Sequence, residues 1–202
     1  MARVADLSDS ELVRYSRKGD QRAFGELVRR YQTKIYRLAR RMTETDEDAE
    51  DVLQEAFVKA YRSLAQFEGK SKFSTWLYRI TVNLALMKLR KRTIDAVSLD
   101  VPVSTEDGQV QRDFQNGGPD PLARLEAKES SALLGKAIAE MDASHRAVFV
   151  LRHVEGLSTA ETARVLKVSA AAVKSRLHRA RIQLKAKLLK GKKHQKKSGS
   201  HK

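Results

Sequence analysis

All three prolines of this 202-residue chain, Pro102, Pro119 and Pro121, fall in one short stretch together with Gly108, Gly117 and Gly118. Proline removes a backbone donor and clashes with the preceding helical turn, so helices must stop on either side of this stretch. Its sequence, SLDVPVSTEDGQVQRDFQNGGPDPL, has no sustained apolar period. Loops longer than about 12–15 residues are uncommon inside a compact domain, so the stretch is expected to be a linker. The expected division is a first domain over residues 1–95, an acidic Pro/Gly linker over 96–127 and a second domain over 128–190. Beyond these lies a basic tail, 191–202, expected to be disordered.

Charge follows the same division. Residues 1–95 carry 20 basic and 14 acidic side chains, 96–127 carry 2 and 6, and 128–202 carry 18 and 5. The net charge of +15 therefore resides mostly in the second half, which suggests a polyanionic partner such as nucleic acid. A solvated basic surface with no partner is the alternative. The apolar content of 41% is enough for packed cores and excludes a wholly disordered chain. No apolar run approaches the roughly 18 residues of a membrane span, and the first residues lack the pattern of a secretory signal. Without a single cysteine there is no disulfide, thiolate metal site or cysteine nucleophile. These features predict a cytoplasmic chain.

Outside the linker the apolar spacing is helical. Ser8 and Glu11 form a candidate capping box and Gly19 a helix stop. From Asp20, residues Ala23, Phe24, Leu27, Val28, Tyr31, Ile35, Leu38 and Met42 recur at three and four, leaving Arg29, Arg30, Arg37 and Arg40 toward water or a partner. A third helix opens with TDEDAED, whose carboxylates suit the positive end of a helix dipole. A fourth is expected from Ser74 or Thr75 through WLYRITVNLALMKLRKR. No strand pattern competes, so the chain is expected to be all-α: a four-helix bundle followed by a second helical domain.

Two features of the first domain invite a partner. Asp48, Asp51 and Glu55 share one face of the third helix at spacings of three and four, with Gln54 beside them. They form either a solvated face or an acidic docking stripe. Next, QFEGKSKFSTWLYRITVN gathers Lys70, Lys72, Phe73, Trp76, Tyr78 and Arg79 in a chain with only 6% aromatics. Basic side chains attract phosphate and aromatic rings stack on unpaired bases, so the loop Gly69–Ser74 is a candidate nucleic-acid contact. Trp76 itself is expected to anchor the core.

In the second half, Leu133, Leu134, Ala137, Ile138 and Met141 mark one helix and SHRAVFVLRHVEG another, with Gly156 as its stop. Ser158 and Glu161 form a second capping box opening a short helix to Leu166. Lys167-Val168-Ser169 is a turn, and Ser169 caps the basic helix AAAVKSRLHRARIQLKAKLL. Two helices joined by a three-residue turn, the second basic, match the DNA-reading helix-turn-helix. With Ala172, Val173, Leu177 and Ala180 turned inward, Lys174, Ser175, His178 and Arg179 project outward, with Arg176 and Arg181 flanking them for phosphate.

The Gly-rich phosphate loop, HExxH and GxSxG are all missing, and the five histidines lack metal-ligand spacing. No enzyme activity, metal, cofactor or small-molecule substrate is expected.

The runs GDQRAFGELVRRYQ, DAEDVLQEAFVKAYRSL, FSTWLYRITVNLAL and AVFVLRHVEGLSTAETARVLKVSAAAVKSRLHRAR, in this order, resemble the extracytoplasmic-function (ECF) sigma factors of bacterial transcription initiation. The resemblance spans both domains and leaves out the linker and tail. It implies that the third helix, through Asp48, Asp51, Gln54 and Glu55, docks on core RNA polymerase. It further implies that Lys70, Ser71, Lys72, Phe73, Arg79 and Asn83 meet the opened minus-ten element. Within and just beyond Thr159 to His178, it implies that Lys174, Ser175, Arg176, His178 and Arg179 read the minus-thirty-five element as duplex. Family members are often held inactive by an anti-sigma protein. The turn departs from the family in carrying Lys167 where Gly is common. The competing possibilities are an autonomous helix-turn-helix regulator with a dimerising or sensing bundle, and an RNA-binding or structural helical protein.

Overall fold

A computed structural model describes residues 3–99 and 132–198; most of the expected linker and the last four residues lie outside it. Among the described residues every regular element is helical. A 3-10 turn, Val4–Asp6, leads into α1, Asp9–Arg17. Ser8 accepts the Glu11 N–H while Glu11 accepts the Ser8 N–H, completing the expected capping box. Gly19 turns the chain at φ +92°, a conformation that favours glycine. Asp20 then caps α2, Gln21–Met42, by accepting from Arg22 and Ala23.

Helix α3, Asp46–Ser63, is capped by Thr45 and followed by a 3-10 turn, Leu64–Gln66. Helix α4 spans Phe73–Leu99, starting a residue or two earlier than expected and running four residues into the expected linker. Leu27, Ile35, Leu38 and Met42 of α2 meet Val52 and the alanines 49, 56 and 60 of α3, and Leu77, Val82 and Ala85 of α4, all essentially inaccessible. The small side chains of α3 let the three helices approach closely.

Of the α2 arginines expected to face water, Arg29 does, while Arg30 and Arg40 are largely covered. Arg30 and Arg29 both donate to Glu26, at 2.7–2.8 Å, and Arg30 also reaches Asp9 at 3.0 Å and the Ala5 carbonyl. Arg40 is largely covered and pairs with Asp46. The hydrogen bonds from Arg29 and Arg30 hold the Glu26 carboxyl down to about 2, below its ordinary 4.5. A depressed carboxyl contributes stability that is present above its unfolded value and lost as pH falls through its folded one. The urea midpoint should therefore drop between about pH 4.5 and pH 2, and Glu26→Gln should flatten that part of the curve.

The second half begins with α5, residues 132–139, and α6, Ala143–Phe149. The latter continues into a π turn, Val150–Val154, that the apolar spacing alone does not reveal. Helix α7, Thr159–Leu166, and α8, Ala170–Ser198, are the last described elements. Sequence spacing predicts an end for α8 near Leu189 and disorder beyond; instead its backbone stays helical through Ser198.

The two halves touch. Helix α4 packs against α2 and α3 on one side and against α6 and α7 on the other, which is why Trp76, Leu77, Tyr78, Ile80, Thr81 and Val82 are all buried. Arg146 of α6, 6% exposed, donates to the carbonyls of Ala139, Met141 and Met42. It thereby joins the ends of α5 and α2, where carbonyls lack helical partners. Glu155 lies between Tyr78 and Arg41; burial raises its pKa, opposed by the Tyr78 hydrogen bond and the charge of Arg41.

Candidate polymerase and promoter interfaces

The acidic face of α3 divides in two. Asp48, expected on the open face, is only 7% exposed and is held by Lys88 at 3.0 Å and Arg92 at 3.3 Å from α4. It also donates its N–H to the Thr45 cap, so it ties α3 to α4. Asp51, 69% exposed, accepts a 2.6 Å bond from the same lysine. Burial works against the charge on Lys88, but hydrogen bonds to Asp51 and Asp48 outweigh it and leave its pKa raised. Gln54 and Glu55 stand exposed. Beside them, at helical spacing, lie the exposed apolar side chains of Val58 and Tyr61, the latter edge-on to Phe24. Nothing in the sequence sets either apart, because single apolar residues on a helix surface are common. Carboxylates flanking exposed apolar groups suit a protein partner better than a purely solvated face does.

The loop before α4 rests on rings. Phe73 lies 6.2 Å from Phe67, 5.7 Å from Trp76 and 5.5 Å from Tyr31, and Phe67 lies 5.0 Å from Trp76, between ring centroids. Trp76 is the core anchor expected of it. Phe73 is 4% exposed, which corrects the expectation of an open stacking face: its ring supports the loop from beneath. Above this floor Gly69 adopts φ +72°, Lys70 pairs with Glu68, and Lys72 is exposed. A cleft of about 630 Å³ separates the loop from α1. Gly69, Ser71 and Lys72 form one wall, and Arg14, Arg17 and Lys18 the other. These three α1 cations escaped the sequence reading, since nothing local places them opposite a loop fifty residues away. Further along α4, Arg79 is half-buried and Asn83 exposed, one turn apart.

In the helix-turn-helix, Ser158 accepts the Glu161 N–H at 3.1 Å and Glu161 accepts the Ser158 N–H at 2.8 Å. These bonds hold the Glu161 carboxyl below its ordinary value. Lys167 ends α7 in the left-handed region, φ 53° and ψ 46°. Ser169 caps α8 through the Ala172 N–H at 3.1 Å. Val173 and Ala180 are inaccessible, while Lys174, Ser175, His178 and Arg179 are exposed as expected. Arg176 is half-buried. Arg181 is engaged with His153, 3.1 Å away, whose pKa burial and this neighbouring charge lower.

Left-handed strain at Lys167 predicts a gain. Relief of about 1–2 kcal/mol, less about 0.5–1 kcal/mol of backbone entropy, should leave Lys167→Gly more stable by up to about 1 kcal/mol in denaturant unfolding.

Residues 27–94 match the family model for Sigma-70 region 2, and residues 131–184 that for Sigma-70 region 4. The chain is 36% identical over 177 residues to the ECF RNA polymerase sigma factor SigW of Bacillus subtilis, covering 87% of this chain and 94% of that one. It belongs to the ECF sigma factors. The ECF RNA polymerase sigma-E factor of Escherichia coli is 38% identical over 180 residues, 87% of this sigma factor and 91% of that one. CnrH, solved in complex with the cytosolic domain of CnrY, superposes with a TM-score of 0.63 at 31% identity over 91% of this chain and 97% of CnrH. The sigma factor thus belongs to a non-catalytic class of transcription factors that bind core RNA polymerase and direct it to promoters. Among its described residues no helix is long and apolar enough to cross a membrane, and no group of three His, Asp or Glu side chains could hold a metal.

Proposed function

We propose that this sigma factor divides promoter recognition among three surfaces, with residues 1–95 and 128–190 acting as two domains joined by the 96–127 linker. Asp51, Gln54 and Glu55, together with Val58 and Tyr61, form the contact with core polymerase, and Asp48 positions that face through Lys88 and Arg92. The cleft between α1 and the Gly69–Ser74 loop receives an unpaired base of the minus-ten element. There Lys70, Ser71 and Lys72 supply donors, Phe73 forms the floor, and Arg79 and Asn83 steer the strand. A base leaving the duplex loses a few kcal/mol of stacking and pairing, and a basic cleft offers replacement contacts. Lys174, Ser175, His178 and Arg179 meet base edges of the minus-thirty-five element, and Arg176 and Arg181 meet phosphate.

The protein performs no catalysis of its own and works in the cytoplasm. An inhibitory anti-sigma protein is a further partner; CnrH, bound to the cytosolic domain of CnrY, is a relative captured with a partner protein.

The observation that carries this assignment is the exposure of the four polar α8 residues on a capped helix-turn-helix whose opposite face buries Val173 and Ala180. A base-edge contact contributes about 1–3 kcal/mol of discrimination, whereas a phosphate contact weakens all sequences alike. Replacing the four one at a time by Ala should relax preference at particular bases for at least one of them. Uniform weakening across promoter variants would instead make them phosphate contacts.

A further inference from the structure

Helix α8 is far longer than a helix-turn-helix requires. Its 29 residues extend roughly 44 Å, whereas the base-facing positions end at Arg179 and, among the described side chains, the last fully buried one is Ala180. The next turns are held in line with the reading segment rather than hanging from it. Leu184 packs against the core, Leu184 and Leu188 line a groove with Leu133 and Leu134 of α5, and Lys187 donates to Glu140 at 2.9 Å. The helix is therefore braced over at least two turns past Ala180.

Residues 185–198 of the helix contain seven lysines and no carboxylate side chain. At 3.6 residues per turn, positions 185, 192 and 196 fall in register with Lys174 and His178, the face assigned to DNA. Lys187, on the opposite side, pairs with Glu140.

We propose that the α8 extension is a second DNA-binding surface, a basic rod that runs out of the major groove and lies along the phosphate backbone beside the minus-thirty-five element. This rests on α8 being the promoter-reading helix. A recognition helix enters the groove near its N-terminus, and its C-terminal end emerges at the flanking backbone. Continuity of the helix carries the lysines to that backbone without the ordering entropy a loose tail would lose. The exposed Ile182 and Leu189 make a protein the rival occupant, but seven lysines against no acidic residue over 185–198 favour a polyanion. Duplex DNA is the polyanion that the preceding turns of the same helix already face.

Each phosphate neutralised by a lysine contributes about 0.9 to the slope of log affinity against log salt concentration. Holoenzyme carrying the full chain is compared with holoenzyme whose sigma factor ends at Leu189, on one promoter duplex, from about 50 to 200 mM salt. The shortened chain should show a slope shallower by about two to four and bind at least about tenfold more weakly near 0.15 M, with unchanged base preference. A full-length chain with Lys192→Gln, Lys193→Gln, Lys196→Gln and Lys197→Gln should behave the same way, which separates charge from any effect of truncation on folding. Equal slopes for all three proteins would overturn the proposal. So would a loss that appears in binding to core polymerase without DNA, which would make the rod a protein contact. If the full-length holoenzyme had no promoter preference at all, the assignment of α8 as a reading helix would itself fall.

Discussion

Reversing Asp51 and Glu55 together to Lys is expected to weaken association with core RNA polymerase by at least about a hundredfold, close to 3 kcal/mol. Both side chains are exposed on α3, so a favourable charge on the partner is lost and a like-charge contact replaces it. The fold should survive. Lys88 retains Asp48 at 3.0 Å, and the α3 core of Ala49, Val52, Ala56 and Ala60 is untouched. Fluorescence titration of labelled protein with core enzyme, beside circular dichroism of the same sample, reads both quantities. Undiminished binding by a well-folded double variant would remove α3 from the polymerase contact. Asp48→Asn should separate the two roles of this helix: it loses the Lys88 and Arg92 pairs and so lowers stability before it lowers polymerase affinity.

Arg146→Ala should destabilise the protein by about 2–4 kcal/mol, because it leaves buried carbonyls without donors. The guanidinium reaches Met42, Ala139 and Met141, and burial pushes its pKa down with only the charge of Glu44 opposing. Arg146→Met keeps much of the packing volume and removes the donors. A loss nearly as large in Arg146→Met as in Arg146→Ala, measured by urea unfolding, would assign the effect to hydrogen bonding. Full recovery in Arg146→Met would assign it to packing.

The features legible in the sequence were local. The capping boxes at Ser8 and Ser158, the glycine stop at Gly19 and the turn from Lys167 each follow from a few neighbouring residues, and the structure holds each as expected. The outward quartet on α8 was equally legible, since period alone decides which side of a helix faces its partner. Long-range pairing was not. Asp48 looked like part of an open stripe because its partners, Lys88 and Arg92, are some forty residues away on another helix. Phe73 looked available for stacking because its aromatic neighbours come from α2, the preceding loop and α4. The extension of α8 escaped for a different reason. Lysine is a good helix former, yet a run of like charges and a glycine argued for disorder, and the bracing from α5 is visible only once the helices are placed.

As an ECF sigma factor, this chain gives core RNA polymerase its promoter specificity. Transcription by core enzyme, with and without the purified protein, from a template pool randomised at the minus-thirty-five and minus-ten positions tests it most directly. Initiation should depend on the protein and select a narrow class of templates carrying two separated motifs. Alanine replacement among Lys174, Ser175, His178 and Arg179 should relax the upstream motif alone. A transcript pool indistinguishable from that of core enzyme, alongside tight binding of the protein alone to a palindromic operator, would contradict the account.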